Sequence, residues 1–209
     1  MKEILFLQKN NIKKFVFASS REVYGNAGKS SYKEDETNVK FCESPYAATK
    51  LGGEALVNSY QTCYDLDFII VRFSNVYGKY DTSNRVIPLF IKLTKENKPL
   101  VVFGKDKLLD FTYIDDASNA VISLIEKFAI LKNSTDKIDT EEGTLLVDLA
   151  NKIQSLLKKT TKVNIKNPLR GEVTKYIADI SKIKKTTNFT PKTDLITGLK
   201  KTIEWYENN

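Results

Sequence analysis

Tyr46 and Lys50 stand four residues apart in "SPYAATK". On a helix, positions i and i+4 share a face, so this spacing sets a phenol beside an ammonium. A free phenol, with a pKa of about 10, is a poor base at neutral pH. A neighbouring ammonium stabilises the phenolate, and the pair can then move protons near pH 7. The chain has no histidine, so any such chemistry falls to Tyr, Lys, Ser, Asp and Glu. A surface Tyr and Lys can share this spacing by chance, and the surroundings decide between the two readings. Upstream, "FVFASS" ends in Ser19 and Ser20. A hydroxyl there can bond the same oxygen as Tyr46, because ligands of open parallel sheets sit at strand C-termini.

These residues need elements to hold them. Ser44 can cap, and Pro45 can open, a helix running to about Cys63. "KKFVFAS" is a short apolar run that suits a buried strand, and "DFIIVRFSNV" (67–76) is a second. Residues 25–44 are polar and read as a loop. "RVIPLFIKLTKEN" is helical after its proline, "PLVVFG" is a strand ended by Gly104, and Asp115 and Asp116 start a further helix. Residues 132–143 are polar and carry no clear assignment. "TLLVDLANKIQSLLKK", "DISKIKKTTN" and "DLITGLKKTIEWYEN" read as helices, with "KVNI" a short strand between the first two. Strands alternating with helices predict an α/β fold with a parallel sheet. The last 60 or so residues read as a smaller mixed lobe.

Length and composition set bounds on function. A chain of 209 residues can bury one core with a small second lobe. No run of 18 apolar residues occurs, so no membrane span is expected. The net charge of +7 invites a nucleic-acid reading, but the lysines are dispersed and no basic block interleaves with aromatics, so no nucleic-acid partner is expected. Cys42 and Cys63 lack metal-ligand spacing and read as free thiols of a cytoplasmic protein. No metal is expected.

Taken in order, "FVFASSREVYG", "SPYAATKLGGEAL", "VRFSNVYG", "RVIPLFI", "PLVVFG", "LDFTYIDDASNAV", "GEVTKYIADISK" and "GLKKTIEWY" resemble the extended short-chain dehydrogenase/reductase family, in particular its nucleotide-sugar epimerases and dehydratases. The resemblance covers nearly the whole chain. It implies an incomplete Rossmann-like parallel sheet with a small mixed α/β C-terminal substrate lobe. Residues 1–131 would be the later part of the NAD-binding domain, with some lobe segments inserted, and 132–209 mostly the substrate lobe. It implies NAD as cofactor and a nucleotide-sugar, commonly a UDP-sugar, as substrate. Tyr46 would be the catalytic base, with Lys50 holding the nicotinamide ribose, and Ser20 and Glu22 would complete the catalytic set. Ser19 and Phe73 would join Tyr46 and Lys50 at the cofactor. Asn75 would contact the substrate diphosphate, Val86 and Phe103 would enclose the base, and Arg170 would lie near the phosphates. The expected reaction is epimerisation through a transient keto-sugar.

Departures from the family pattern sharpen the expectation. The dehydratases carry Asp-Glu after the catalytic Ser/Thr, and Arg21-Glu22 stands there instead, which favours an epimerase. The decarboxylases use an arginine where this chain has Leu109. Arg170 directly precedes Gly171, where the family has one residue between, which shifts its register. The G-x-x-G-x-x-G dinucleotide fingerprint is absent, and "MKEILFLQKNN" matches the tail of the helix before the fourth sheet strand. About 100 residues of a typical member are then missing, and "KKFVFAS" should lie at a sheet edge. The chain alone is expected to be inactive and to need a separate N-terminal half. The alternatives are a non-catalytic remnant or binding protein that keeps part of the pocket, or a dehydratase or decarboxylase. Self-association is expected through the Tyr46–Lys50 helix, by way of Leu56, Val57 and Tyr60.

Overall fold

A computed structural model describes residues 2–26, 28–29 and 31–208. In chain order the strands are β1 (Lys14–Ser20), β2 (Ser31–Tyr32), β3 (Asp67–Phe73), β4 (Asn75–Tyr77), β5 (Leu100–Phe103), β6 (Leu108–Tyr113), β7 (Ser134–Ile138), β8 (Gly143–Leu145), β9 (Val163–Lys166) and β10 (Ile177–Ala178). The helices are α1 (Lys2–Lys9), α2 (Pro45–Tyr64), α3 (Val86–Lys95), α4 (Ile114–Glu126), α5 (Phe128–Leu131), α6 (Leu146–Leu156), α7 (Ser181–Thr187) and α8 (Leu195–Asn208). Among the described residues no helix is long and apolar enough to cross a membrane.

The first layer is a parallel sheet in the order β1-β3-β7. Lys14 pairs with Asp67 and Ser20 with Phe73, so β1 and β3 end together. Alternation along β3 divides the core, because successive side chains of a strand face opposite sides. Phe68 and Ile70 pack with Ile4 and Val57 under α1 and α2. Ile69 and Val71 join the larger core on the opposite face, with Ala117, Ala120 and Leu124 of α4. Among the described residues β1 pairs on one side only, so "KKFVFAS" lies at an edge as its sequence implied. The unassigned polar stretch supplies β7, whose Ser134–Ile138 pairs with Ile69–Phe73. The sheet therefore draws on both sides of the division expected at residue 131.

The run "DFIIVRFSNV" divides at Ser74. Beyond it the chain leaves the first sheet, and Asn75–Tyr77 pairs in parallel with Phe111–Tyr113. The Ser74 hydroxyl donates to the Asp110 carbonyl at 2.8 Å, which holds the crossing point. β6 then pairs antiparallel with β8, while β5 pairs with β9 and β10 with β2. α6 packs against α3, α8 and β5. This is the small mixed lobe.

α2 carries Tyr46 and Lys50, so its seating matters most. Its start is fixed by sequence: Pro45 fills the first turn, and the Ser44 hydroxyl accepts from the Ala47 amide at 3.1 Å. Such a cap contributes about 1 kcal/mol. Gly53 brings α2 close to β1, since a Cβ there would meet Phe17 Cζ at 2.3 Å. Asp65, in the left-handed conformation at φ 53°, ends the helix. Of the apolar residues expected to reach a partner, Val57 is buried in the chain's own core, and Leu56 and Tyr60 pack partly against it.

Candidate functional site

A cleft of about 520 Å³ opens where the first sheet meets the lobe. Ser20, Arg21 and Glu22 supply one wall from the turn after β1, and Tyr46 reaches it from the first turn of α2. The opposite side comes from Asn75 on β4, Val86 on α3, and Lys107 and Leu109 at β6. The position is the C-terminal end of a parallel sheet, where open α/β folds bind ligands.

Tyr46 is 50% exposed, so its phenol is open to a ligand. Lys50 Nζ sits 5.6 Å from the centre of the Tyr46 ring and the same distance from the Phe17 ring. It donates to the Ala18 carbonyl at 2.8 Å. An ammonium has three donors, and among the described residues this bond is the only one it makes within the protein. The helical spacing thus brings the cation over the phenol ring, and the strand carbonyl pins it there.

Ser20 Oγ accepts from the Glu22 amide at 3.2 Å as cap of a 3₁₀ turn, Arg21–Tyr24. That bond leaves the hydroxyl proton to be donated elsewhere. Glu22 Oε2 accepts from the Ser44 hydroxyl at 3.4 Å, which ties the turn to the cap of α2. Asn75 accepts from Arg21 Nη2 at 3.1 Å through Oδ1, and its Nδ2 donates to the Asp110 carbonyl at 2.7 Å.

The structure thus gathers Ser20, Glu22, Tyr46, Asn75 and Val86 into one lining, with Lys50 against Tyr46. The other sequence candidates lie apart from that lining. Ser19 is buried and donates to Glu54 Oε1 at 2.5 Å. Phe73 is half-buried against the larger core. Phe103 pairs with Lys166 across β5 and β9. Arg170 is exposed beside Gly171, whose φ of 80° turns the chain toward the Glu43 carbonyl.

Sequence reasoning did not name Arg21, Lys107 or Glu172 as site residues, yet all three line the cleft. Lys107 Nζ and Glu172 Oε2 pair at 2.6 Å, a contact across 65 positions that leaves no local pattern. Arg21 had a signal, its place directly after Ser20.

Two carboxyl groups, Asp110 and Asp139, are fully buried, and the Asp110 carbonyl accepts from cleft-lining Ser74 and Asn75. Asp110 Oδ1 accepts from the amide and hydroxyl of Thr140, and Asp139 Oδ2 from the Tyr176 hydroxyl at 3.1 Å. Asp110 Oδ2 and Asp139 Oδ1 have no partner among the described residues. Burial pushes Asp110 up to about 6 against the bonds from Thr140. Burial, with the neighbouring Asp110 charge, pushes Asp139 well above the usual carboxylate range.

The chain matches the model of the "NAD dependent epimerase/dehydratase family" over residues 4–135. It is 34% identical over 201 residues to a UDP-glucuronate 4-epimerase of Thermodesulfobacterium geofontis, which covers 95% of this chain and 60% of that protein. It is 31% identical to the human dTDP-D-glucose 4,6-dehydratase, covering 95% and 57%. The structure superposes on a UDP-glucuronic acid 4-epimerase from Bacillus cereus, solved with UDP-glucuronic acid and NAD, with a TM-score of 0.91 at 27% identity over 98% of this chain and 65% of that one. The chain thus spans about 60% of the length of the T. geofontis relative.

The two buried acids set an expected pH dependence. A carboxyl whose folded pKa is raised keeps its proton in the folded chain at pH values where the unfolded chain has lost it. Stability therefore falls as pH rises, for Asp110 between about 4, the ordinary Asp value, and about 6. Asp139 extends the fall to higher pH. Asp139→Asn removes its part, so the variant should gain on the wild type by about 1.4 kcal/mol per pH unit in which only the folded wild type holds that proton. Urea unfolding from pH 4.5 to 7.5 measures this. A wild-type-to-variant difference that stays constant across the range would contradict it.

Proposed function

Because this chain belongs to the NAD dependent epimerase/dehydratase family, we propose that it carries the substrate-handling part of a nucleotide-sugar epimerase. The observation that supports this reading is the gathering of Tyr46, Ser20, Glu22 and Asn75 into one cleft with Lys50 against Tyr46. Tyr46 takes the proton from a sugar hydroxyl and later returns it. Ser20 donates a hydrogen bond to the same oxygen, and the Lys50 ammonium favours the phenolate. Epimerisation runs through a keto-sugar, with Glu22, in the turn beside Ser20 and lining the cleft, assisting a proton transfer. Asn75 holds the diphosphate and Val86 borders the base. Base and phosphate contacts for Phe103 and Arg170 belong to the same proposal, although neither residue lines the cleft.

The residues present fit one end of NAD. Lys50 has donors left after its bond to Ala18, and with Tyr46 it would hold the nicotinamide ribose, flanked by Ser19 and Phe73 at the ends of β1 and β3. When bound, the cofactor supplies hydride acceptance and return at the sugar carbon. The pyrophosphate of a dinucleotide is held by a Gly-rich turn and a helix N-terminus, and the sequence of this chain contains no such fingerprint.

We also propose self-association through α1 and α2, where Phe6 and Tyr64 are exposed beside half-buried Leu56 and Tyr60. Apolar surface of this kind marks contact sites. Sedimentation at tens of micromolar should show a dimer or larger species, and a clean monomer would contradict the proposal.

Calorimetric titration of NAD into the 209-residue chain should give weak binding or none, and micromolar affinity would contradict the reading of the cradle. Joined behind the dinucleotide-binding segment of the T. geofontis relative, the chain should interconvert UDP-sugar epimers. In that fusion Tyr46→Phe should lower turnover by about 10²-fold or more. Ser20→Ala should cost less, since a lost hydrogen bond is a smaller effect than a lost base. A Tyr46→Phe fusion with undiminished turnover would overturn the assignment of the base.

A further inference from the structure

Between β4 and α3 the chain runs along the rim of the cleft, from Gly78 to Arg85, and Asp81, Asn84 and Arg85 of this loop line it. The loop has little core of its own to rest on. Tyr80 is 77% exposed, and residues 82–85 are exposed as well. Asn84 also borders a second hollow of about 410 Å³, with Thr82, Ser83 and Tyr206. The loop's internal bonds are short in range: the Ser83 amide donates to Asp81 Oδ1 at 3.0 Å and the Arg85 amide to Ser83 Oγ at 3.3 Å. Such bonds set the local shape of a loop, not its place on the fold. Tyr80 holds the left-handed conformation at φ 69°, which costs a bulky residue free energy and persists where the surroundings fix it.

Those surroundings come from the far end of the chain. α8 is seated near its start, where Gly198 allows a close approach: a Cβ there would meet the Tyr77 hydroxyl oxygen at 2.1 Å. Further along the same helix, the Trp205 ring lies 5.2 Å from that of Tyr80, and the Tyr206 ring 5.1 Å from that of Trp205. The Tyr206 hydroxyl donates to the Asp81 carbonyl, a contact across 125 positions. The Tyr206 carbonyl accepts from Lys95 Nζ at 2.7 Å, which ties this turn of α8 to α3. Trp205 and Tyr206 are both half-buried, so the contacts are partly withdrawn from water.

We propose that Trp205 and Tyr206 are positioning residues for the cleft: they latch the 80–85 loop to α8 and so hold Arg85 where a nucleotide diphosphate binds. The inference rests on the nucleotide-sugar reading of the cleft. Arg85 is the residue before α3, and Val86 and Ile87 of that helix line the cleft beside it. A permanent cation with a planar fork thus stands next to the positive end of a helix, and both suit a phosphate.

Two measurements on the 209-residue chain test this. In the ligand-free chain, Tyr206→Phe keeps the ring and drops the hydroxyl. Trypsin should then cut after Lys79 and Arg85 about threefold to tenfold faster, as for the loss of one neutral hydrogen bond, while cleavage after the exposed Lys132 keeps its rate. Trp205→Leu, which loses the Tyr80 contact, should act the same way. In calorimetric titration with UDP-glucose, Tyr206→Phe should weaken binding by a similar factor, and Arg85→Gln by about tenfold or more. Tyr206→Phe should add no further loss in the Arg85→Gln chain, because the latch acts through Arg85. Unchanged cleavage in both latch variants would overturn the latch. Unchanged affinity in Tyr206→Phe, or losses that add in the double variant, would overturn its positioning role while leaving nucleotide-sugar binding intact. Absence of UDP-glucose binding in the wild type would overturn the nucleotide-sugar reading, and the positioning role with it.

Discussion

The seating of the helix that bears Tyr46 and Lys50 rests on one buried ion pair. Arg72 on β3 grips Glu54 on α2 with two parallel bonds, Nε to Oε1 at 2.9 Å and Nη2 to Oε2 at 2.6 Å. Its remaining nitrogen reaches the Tyr24 hydroxyl and the Glu34 carbonyl. Glu54 Oε1 also accepts from Ser19 at the end of β1. One network therefore joins the sheet, the helix that bears Tyr46 and Lys50, and the turn after Ser20. Burial works against the charge of Arg72, but its bonds to Glu54 outweigh that and hold it protonated. Two-armed geometry of this kind offsets the desolvation that makes many buried pairs unfavourable.

From that anchor the cleft assembles by short steps. α2 lies against β1 because Gly53 leaves room for Phe17. The helix face then turns Lys50 to the Ala18 carbonyl and leaves Tyr46 open. The 3₁₀ turn capped by Ser20 brings Arg21 and Glu22 to the same wall. The lobe closes the other side once β3 gives way at Ser74 to β4.

Much of this was legible in the sequence, and the reasons are local. Ser44 and Pro45 announced the start of α2, and the apolar runs of β1 and β3 gave the parallel sheet. Tyr46 and Lys50 were found because helical spacing is a local rule. β7 was missed because Ser134–Ile138 is polar: its Asp136 and Lys137 are fully buried by tertiary contacts that no periodicity reveals. The break at Ser74 was missed because an apolar run does not record which sheet it joins. The bond from Ser19 to Glu54, 35 positions away, left no local trace either. Residues paired across such distances, as Lys107 with Glu172, carry no mark in a single sequence.

The direct test of the central claim is a double-mutant cycle on the pair, with Arg72→Met, Glu54→Gln and the double variant unfolded in urea. Each single change leaves a buried group without its partner and should cost about 3–5 kcal/mol. If the two residues act as one clamp, the double variant should cost clearly less than the two singles together, with a coupling of about 1 kcal/mol or more. Strictly additive losses, or singles that change stability by less than about 0.5 kcal/mol, would contradict the claim that this pair holds the helix of Tyr46 and Lys50 on the sheet.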